Sequence, residues 1–146
     1  MLNYHHYTGD VANPALLIIH GLFGSAKNWR AIGQRLADSY SVYIVDLRNH
    51  GDSPWFDTHS YTDMADDLAK FIDTKAPAMR VLGHSMGGRI STKYTIENPE
   101  KVNGLVLLSA SGAPREEKTS PPMALRMMKN PLGRAIIRRV WSRKMA

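Results

Sequence analysis

The stretch Val81-Leu82-Gly83-His84-Ser85-Met86-Gly87-Gly88 constrains this chain most. An apolar, strand-like run enters it and a helix-like run leaves it, so Ser85 falls in a strand-to-helix turn. Such a turn lifts a serine hydroxyl clear of a sheet and places the free N–H groups of the new helix beside it. Three fixed positions of the G-x-S-x-G kind arise by accident in roughly 5% of chains this size. The neighbouring segments therefore carry much of the argument.

Those segments alternate in character. Residues 2–7 can form an exposed first strand, closed by the turn signal Thr8-Gly9-Asp10, and residues 15–19 read as a buried strand. A helix is predicted from Asn28 to Asp38, with Trp29, Ile32 and Leu36 on one face. A strand at 41–45 follows. Ser60, with Asp63 three residues on, is a variant of the capping box, and Met64, Leu68, Phe71 and Ile72 form the stripe of the helix it starts. Strand 79–83 leads into the Ser85 turn, and the next helix runs to about Glu97, where Asn98-Pro99 stops it. Leu105-Val106-Leu107-Leu108 is a continuous apolar run, as expected for a strand covered on both faces. Strands alternating with helices specify an α/β fold with a mostly parallel twisted sheet and flanking helices. Residues 111–122 read as a loop, followed by two short basic amphipathic segments split near Asn130-Pro131-Leu132-Gly133.

Three glycine-punctuated loops close the strands at 15–19, 41–45 and 79–83. They read H-G-L-F-G-S from His20, D-L-R-N-H-G-D-S from Asp46 and G-H-S-M-G-G from Gly83. In this order they resemble the N-terminal half of an α/β-hydrolase, over about residues 2 to 109. Within that superfamily they are most similar to the small serine esterases that share the R-N-H-G turn. The resemblance implies an α/β-hydrolase fold, apparently truncated after the sixth strand. Residues 1–113 would be the N-terminal part of the core, and 114–146 a loop and the start of a basic helical cap.

It also implies a chemistry. Ser85 would be the nucleophile of a carboxylesterase-like serine hydrolase, attacking a small-molecule ester to give an acyl-enzyme. The backbone N–H groups of Met86 and Leu22 would form the oxyanion hole, with that of Phe23 as the alternative if the loop register differs. Phe23 and Arg89 are candidates for substrate binding. No cofactor and no metal are implied.

A serine hydroxyl needs a base, and in this superfamily the order is Ser, acid, His. Here all six histidines (5, 6, 20, 50, 59 and 84) lie at or before position 84, and none follows Ser85. His84 is the neighbour of the nucleophile, where adjacent side chains point apart. His20 and His50 are read as structural hydrogen-bonding residues of their loops, and His5, His6 and His59 as solvated. No pair has the helical spacing of a zinc site. The acid is missing at one expected place too, where relatives with the R-N-H-G turn carry an aspartate and this chain has Ser109-Ala110-Ser111. Asp46 and Asp52 are better read as turn formers that cap backbone N–H groups, and Glu116 and Glu117 as solvated. The expectation is a fragment that hydrolyses esters weakly or not at all, with its last strand an exposed apolar edge prone to aggregation.

Bulk properties narrow the partners. The net charge of +6 divides into −1 over residues 1–120 and +7 over residues 121–146, so the body offers no electrostatic footprint for nucleic acid. The absence of cysteine agrees with a reducing compartment. The N-terminus lacks the pattern of a signal peptide, and no apolar run approaches the ~20 residues that span a bilayer. The reading is a cytoplasmic, soluble protein, with nothing said of its oligomeric state. Two rivals stand beside the esterase. Ser85-Met86-Gly87-Gly88-Arg89 also resembles the motif of the α/β-hydrolase-fold lyase of menaquinone synthesis, where the arginine could bind a substrate carboxylate. Alternatively the chain is a non-catalytic module whose basic tail, with Met127, Met128, Ile136, Ile137, Val140 and Trp141, binds a membrane surface or a partner.

Overall fold

The computed structural model describes residues 1–10 and 12–110. Five strands form one sheet: β1 (Tyr4–Tyr7), β2 (Ala15–Ile19), β3 (Ser41–Val45), β4 (Met79–His84) and β5 (Val102–Leu108), in the order β1-β3-β2-β4-β5. Only β1 runs antiparallel to its neighbour, and every other pairing is parallel. Among the described residues three α-helices connect them: α1 (Arg30–Leu36), α2 (Tyr61–Asp73) and α3 (Met86–Glu97). The two short amphipathic segments after residue 122, the tail residues from Met127 to Trp141, and the cap expected over 114–146 lie outside the described residues, as do Glu116 and Glu117.

Residues of β2 alternate between two cores because successive strand side chains point to opposite faces. Leu17 and Ile19 face one core, built with Leu68, Phe71 and Ile72 of α2 and Ile90 and Tyr94 of α3. Leu16 and Ile18 face the other, with Val42, Ile44, Trp29 and Leu36. Burying such side chains contributes about 1.5–3 kcal/mol each. The Ser60 cap forms as its sequence signals, its hydroxyl receiving the Asp63 N–H at 3.0 Å while the Asp63 carboxylate receives the Ser60 N–H at 3.0 Å.

Three expectations need correction. The helix predicted from Asn28 to Asp38 opens instead with a 3-10 turn at Ala26–Trp29, and Ile32 is 45% exposed. The buried position is Gly33, because the side chains of Ile44 and Tyr7 fill that space. A Cβ on Gly33 would stand 2.6 Å from Ile44 Cδ1. The strand expected to be covered on both faces leaves Val106 48% and Leu108 39% exposed. Among the described residues β5 has a neighbour on one side only, and an edge strand is not sandwiched as a central one is. Asp52 is exposed, and among the described residues its carboxylate pairs with Lys27 Nζ at 3.4 Å and with no backbone N–H.

The strand order positions the site. After β2 the chain moves to β3 on one side, and after β4 it moves to β5 on the other. The carboxyl ends of β2 and β4 are thus neighbours whose loops depart in opposite directions. Such a switch point opens a crevice, and in open α/β sheets ligands bind there.

Candidate active site

Ser85 sits at this crevice, between the end of β4 and the first residue of α3. Its backbone lies at φ 52°, ψ −114°, a region a side chain adopts only under strain of about 1–3 kcal/mol. The surroundings hold it there. The Ser85 N–H donates to the Leu108 carbonyl at 2.9 Å, and the Ser85 carbonyl accepts the Gly88 N–H at 3.1 Å. Glycine is required where α3 crowds the sheet: a Cβ on Gly83 would stand 2.6 Å from both Gly87 O and Gly88 Cα. A Cβ on Gly87 would run into the Ile19 and His20 carbonyls. The outcome is an exposed serine on a tightly packed elbow, followed by the buried Met86, Gly87 and Gly88.

The loop after β2 faces this elbow. A Cβ on Gly21 would stand 3.2 Å from Ser85 Cβ and 3.0 Å from His84 Nδ1, so the loop backbone lies directly against the serine. The structure thereby brings together Ser85, Met86 and the Gly21-Leu22 segment, three of the places singled out in the sequence. Leu22 and Phe23 are half-buried, and Phe23 adopts φ 60°. Arg89 is half-buried on the first turn of α3. The ring of His84 lies beside Trp29, with centroids 5.8 Å apart, and its Nδ1 borders Gly21. That contact had no signal in the sequence, because Trp29 lies on a different element.

The other histidines are engaged in structure. His20 is fully buried, its Nε2 accepting the Leu47 N–H at 3.1 Å and its Nδ1 lying 2.8 Å from the Gly21 carbonyl. Leu47 N–H can only donate, so the ring is neutral with its proton on Nδ1. Burial, followed by the nearby His50, pushes its pKa down to about 4. His50 is buried as well; its Nδ1 donates to the Arg48 carbonyl at 2.9 Å, and burial lowers its pKa. His59 was expected to be solvated but is only 6% exposed, with its Nδ1 3.3 Å from the Asn49 amide nitrogen and its ring beside His50. Its neighbours Thr58 and Ser60 are exposed, so His59 turns in alone against Asn49 and His50, ten and nine residues away, which a reading of single residues does not detect. His6 is exposed, stacked on Tyr43 with its Nε2 2.9 Å from Ser41 Oγ, and His5 is half-buried.

The segment from Asp46 to Gly51 is a scaffold. Asp46, 1% exposed, accepts the Ala26 N–H at 2.6 Å, the Asp52 N–H at 3.0 Å and the Asn3 amide at 2.8 Å. Arg48 makes two hydrogen bonds to Asp67, 2.6 Å from Nε and 2.9 Å from Nη2, and stacks 4.7 Å over the Phe56 ring. The hydrogen bond with Asp67 is the main reason its pKa is raised. Asn49 takes φ 63°, a left-handed position that asparagine tolerates. Among the described residues no group of three or more His, Asp or Glu side chains could hold a metal ion, and no helix is long and apolar enough to cross a membrane.

Comparison with known proteins agrees with this geometry. A family model described as alpha/beta hydrolase fold matches residues 14–135. A protein of Saccharomyces cerevisiae named probable alcohol acetyltransferase is 38% identical over 110 residues, covering 69% of this chain and 32% of that protein. The sn-1-specific diacylglycerol lipase ABHD11 of Xenopus laevis is 36% identical over 124 residues, covering 83% of this chain and 40% of the lipase. Among solved structures, a marine microorganism esterase superposes with a TM-score of 0.77 at 33% identity, covering 87% of this chain and 48% of that one. The chain spans less than half the length of each.

Proposed function

The chain belongs to the α/β-hydrolase fold family, and on that premise we propose that it carries the nucleophile and oxyanion hole of a serine carboxylesterase. Its homologues include esterases and lipases, and by resemblance it is an esterase-type enzyme. The observation that carries the finer reading is Ser85 itself: exposed, held at φ 52°, with the loop after β2 packed against it.

The proposed chemistry follows. Ser85 Oγ bonds to the ester carbonyl carbon as its proton passes to a base, and the carbonyl oxygen becomes an oxyanion. The N–H groups of Met86 and Leu22 receive that charge, each stabilising the transition state by about 3 kcal/mol. The C–O bond to the leaving alcohol then breaks, the base returning the proton, and water releases the acyl group by the reverse sequence. Phe23 and Arg89 flank the elbow as substrate contacts.

The base is the weak point of these 146 residues. No histidine follows Ser85, and His20 has both ring nitrogens committed. Alone, the chain therefore turns over esters weakly or not at all, and activity needs a histidine from outside it. The experiment is labelling with a fluorophosphonate probe, using the protein in the full length its source makes. The probe is expected on the peptide holding Ser85 and absent after Ser85→Ala. Labelling at another residue sinks the assignment. For the 146 residues alone, p-nitrophenyl acetate turnover should match that of S85A, and a large loss on that substitution would refute the inactivity.

A further inference from the structure

The Gly21 carbonyl oxygen is held by two donors at once, the Gly24 N–H at 2.9 Å and the His20 ring at 2.8 Å. The next N–H along the chain, that of Leu22, belongs to the same peptide unit. A trans peptide is planar, so the carbonyl of one residue and the N–H of the next point in opposite directions. No cis peptide occurs among the described residues. Whatever fixes the direction of the Gly21 carbonyl therefore fixes the direction of the Leu22 N–H, beside Ser85.

We infer that His20 is a positioning residue: its Nδ1–H grips the Gly21 carbonyl and thereby aims the Leu22 N–H at the oxyanion formed on Ser85. This rests on the acyl-enzyme reading above and adds to it the residue that sets the donor's direction.

The ring is built for one orientation. Its Nε2 must present a lone pair to the Leu47 N–H, which leaves the proton on Nδ1 for Gly21. Rotating the ring would break both bonds in a fully buried site. Gly24 adds a steric wall: a Cβ there would stand 3.0 Å from both His20 Cβ and His20 Nδ1, so loop and ring are already in contact. The bond to Leu47 spans 27 residues and anchors the ring to the loop after β3. The scaffold turn and the oxyanion loop are thus joined through one neutral imidazole.

Two substitutions separate aiming from anchoring. In His20→Asn the amide nitrogen falls near Nδ1 and can still donate to Gly21, while the Leu47 bond is lost. In His20→Gln the longer side chain can still reach Leu47, while the donor to Gly21 is lost. Fluorophosphonate labelling of Ser85 is measured in the protein at the full length its source makes, with thermal unfolding beside it. H20Q should label about a hundredfold more slowly than wild type, as expected when a catalytic donor is misplaced by about 1 Å. H20N should label faster than H20Q even where it unfolds at a lower temperature. A purely structural role predicts that labelling follows stability, and that result overturns the inference. So does H20Q labelling at the wild-type rate. Wild type that fails to label at Ser85 overturns the acyl-enzyme reading and the aiming with it, which separates that failure from the others. Should neither variant fold, the ring ¹⁵N shifts of wild-type His20 decide: a proton on Nδ1 supports the assignment, and a proton on Nε2 refutes it.

Discussion

The carboxylate of Asp46 receives the backbone N–H of Ala26 at 2.6 Å, joining the end of β3 to the turn that precedes α1. The same buried side chain also accepts the Asp52 N–H and the Asn3 amide. An ionised carboxylate suits three donors because it has only acceptor sites. Replacing Asp46 by Asn, which turns an NH₂ toward one of those donors, is expected to cost about 3 kcal/mol. The urea midpoint of D46N measures this, and a wild-type midpoint would refute the hub.

Arg48 should not tolerate lysine. Its fork bonds both oxygens of Asp67 while its Cζ sits 4.7 Å from the centre of the Phe56 ring, and a point-like ammonium cannot reproduce the two-oxygen fork. Arg48→Lys is expected to destabilise by about 1–3 kcal/mol. A double-mutant cycle with Asp67→Asn should show coupling, and additive losses would disprove the pair.

Mild acid should destabilise the protein through its buried imidazoles. His20 has its pKa lowered from 6.5 to about 4, so in that interval the unfolded chain binds a proton that the folded chain refuses. Stability is complete above about pH 6.5 and falls as pH drops toward 4, by about 3 kcal/mol at most. His50, lowered by burial, acts in the same direction. Asp63 has its pKa lowered by the Ser60 hydroxyl, so its contribution is lost at lower pH. Urea midpoints at pH 7 and 4.5 should differ for wild type and differ less for His20→Asn. Equal wild-type midpoints would contradict the assignment.

Gly83→Ala tests the elbow. The new Cβ meets backbone atoms of Gly87 and Gly88, which cannot swing aside as a flexible side chain could. The expected cost is about 1–3 kcal/mol, with loss of fluorophosphonate labelling at Ser85. A variant that labels normally would show that the elbow has room to adjust.

Local elements were legible because their causes are local. The apolar runs at 15–19 and 41–45 are β2 and β3, and the Ser60-Asp63 pair caps α2 within a single turn. The Gly83–Gly88 stretch specified its strand-to-helix turn because three glycines there leave room for a backbone few other residues allow. The superfamily was readable for a related reason: three loops of this chain each close a strand, and their order along the sequence is visible without any knowledge of pairing.

Sequence alone could not say which side of the 30–36 helix faces the sheet, since Ile32 is the better apolar residue and Gly33 the one the neighbours leave room for. Nor could it place His59 inside or join His20 to Leu47. Periodicity, caps and glycine turns are decided by residues within a few positions of one another, and these the chain carries on its face. Strand order, burial of the polar loops and the partners of each imidazole were decided only in the folded protein. They depend on which distant segments share a crevice, and that follows from the packing of the whole sheet.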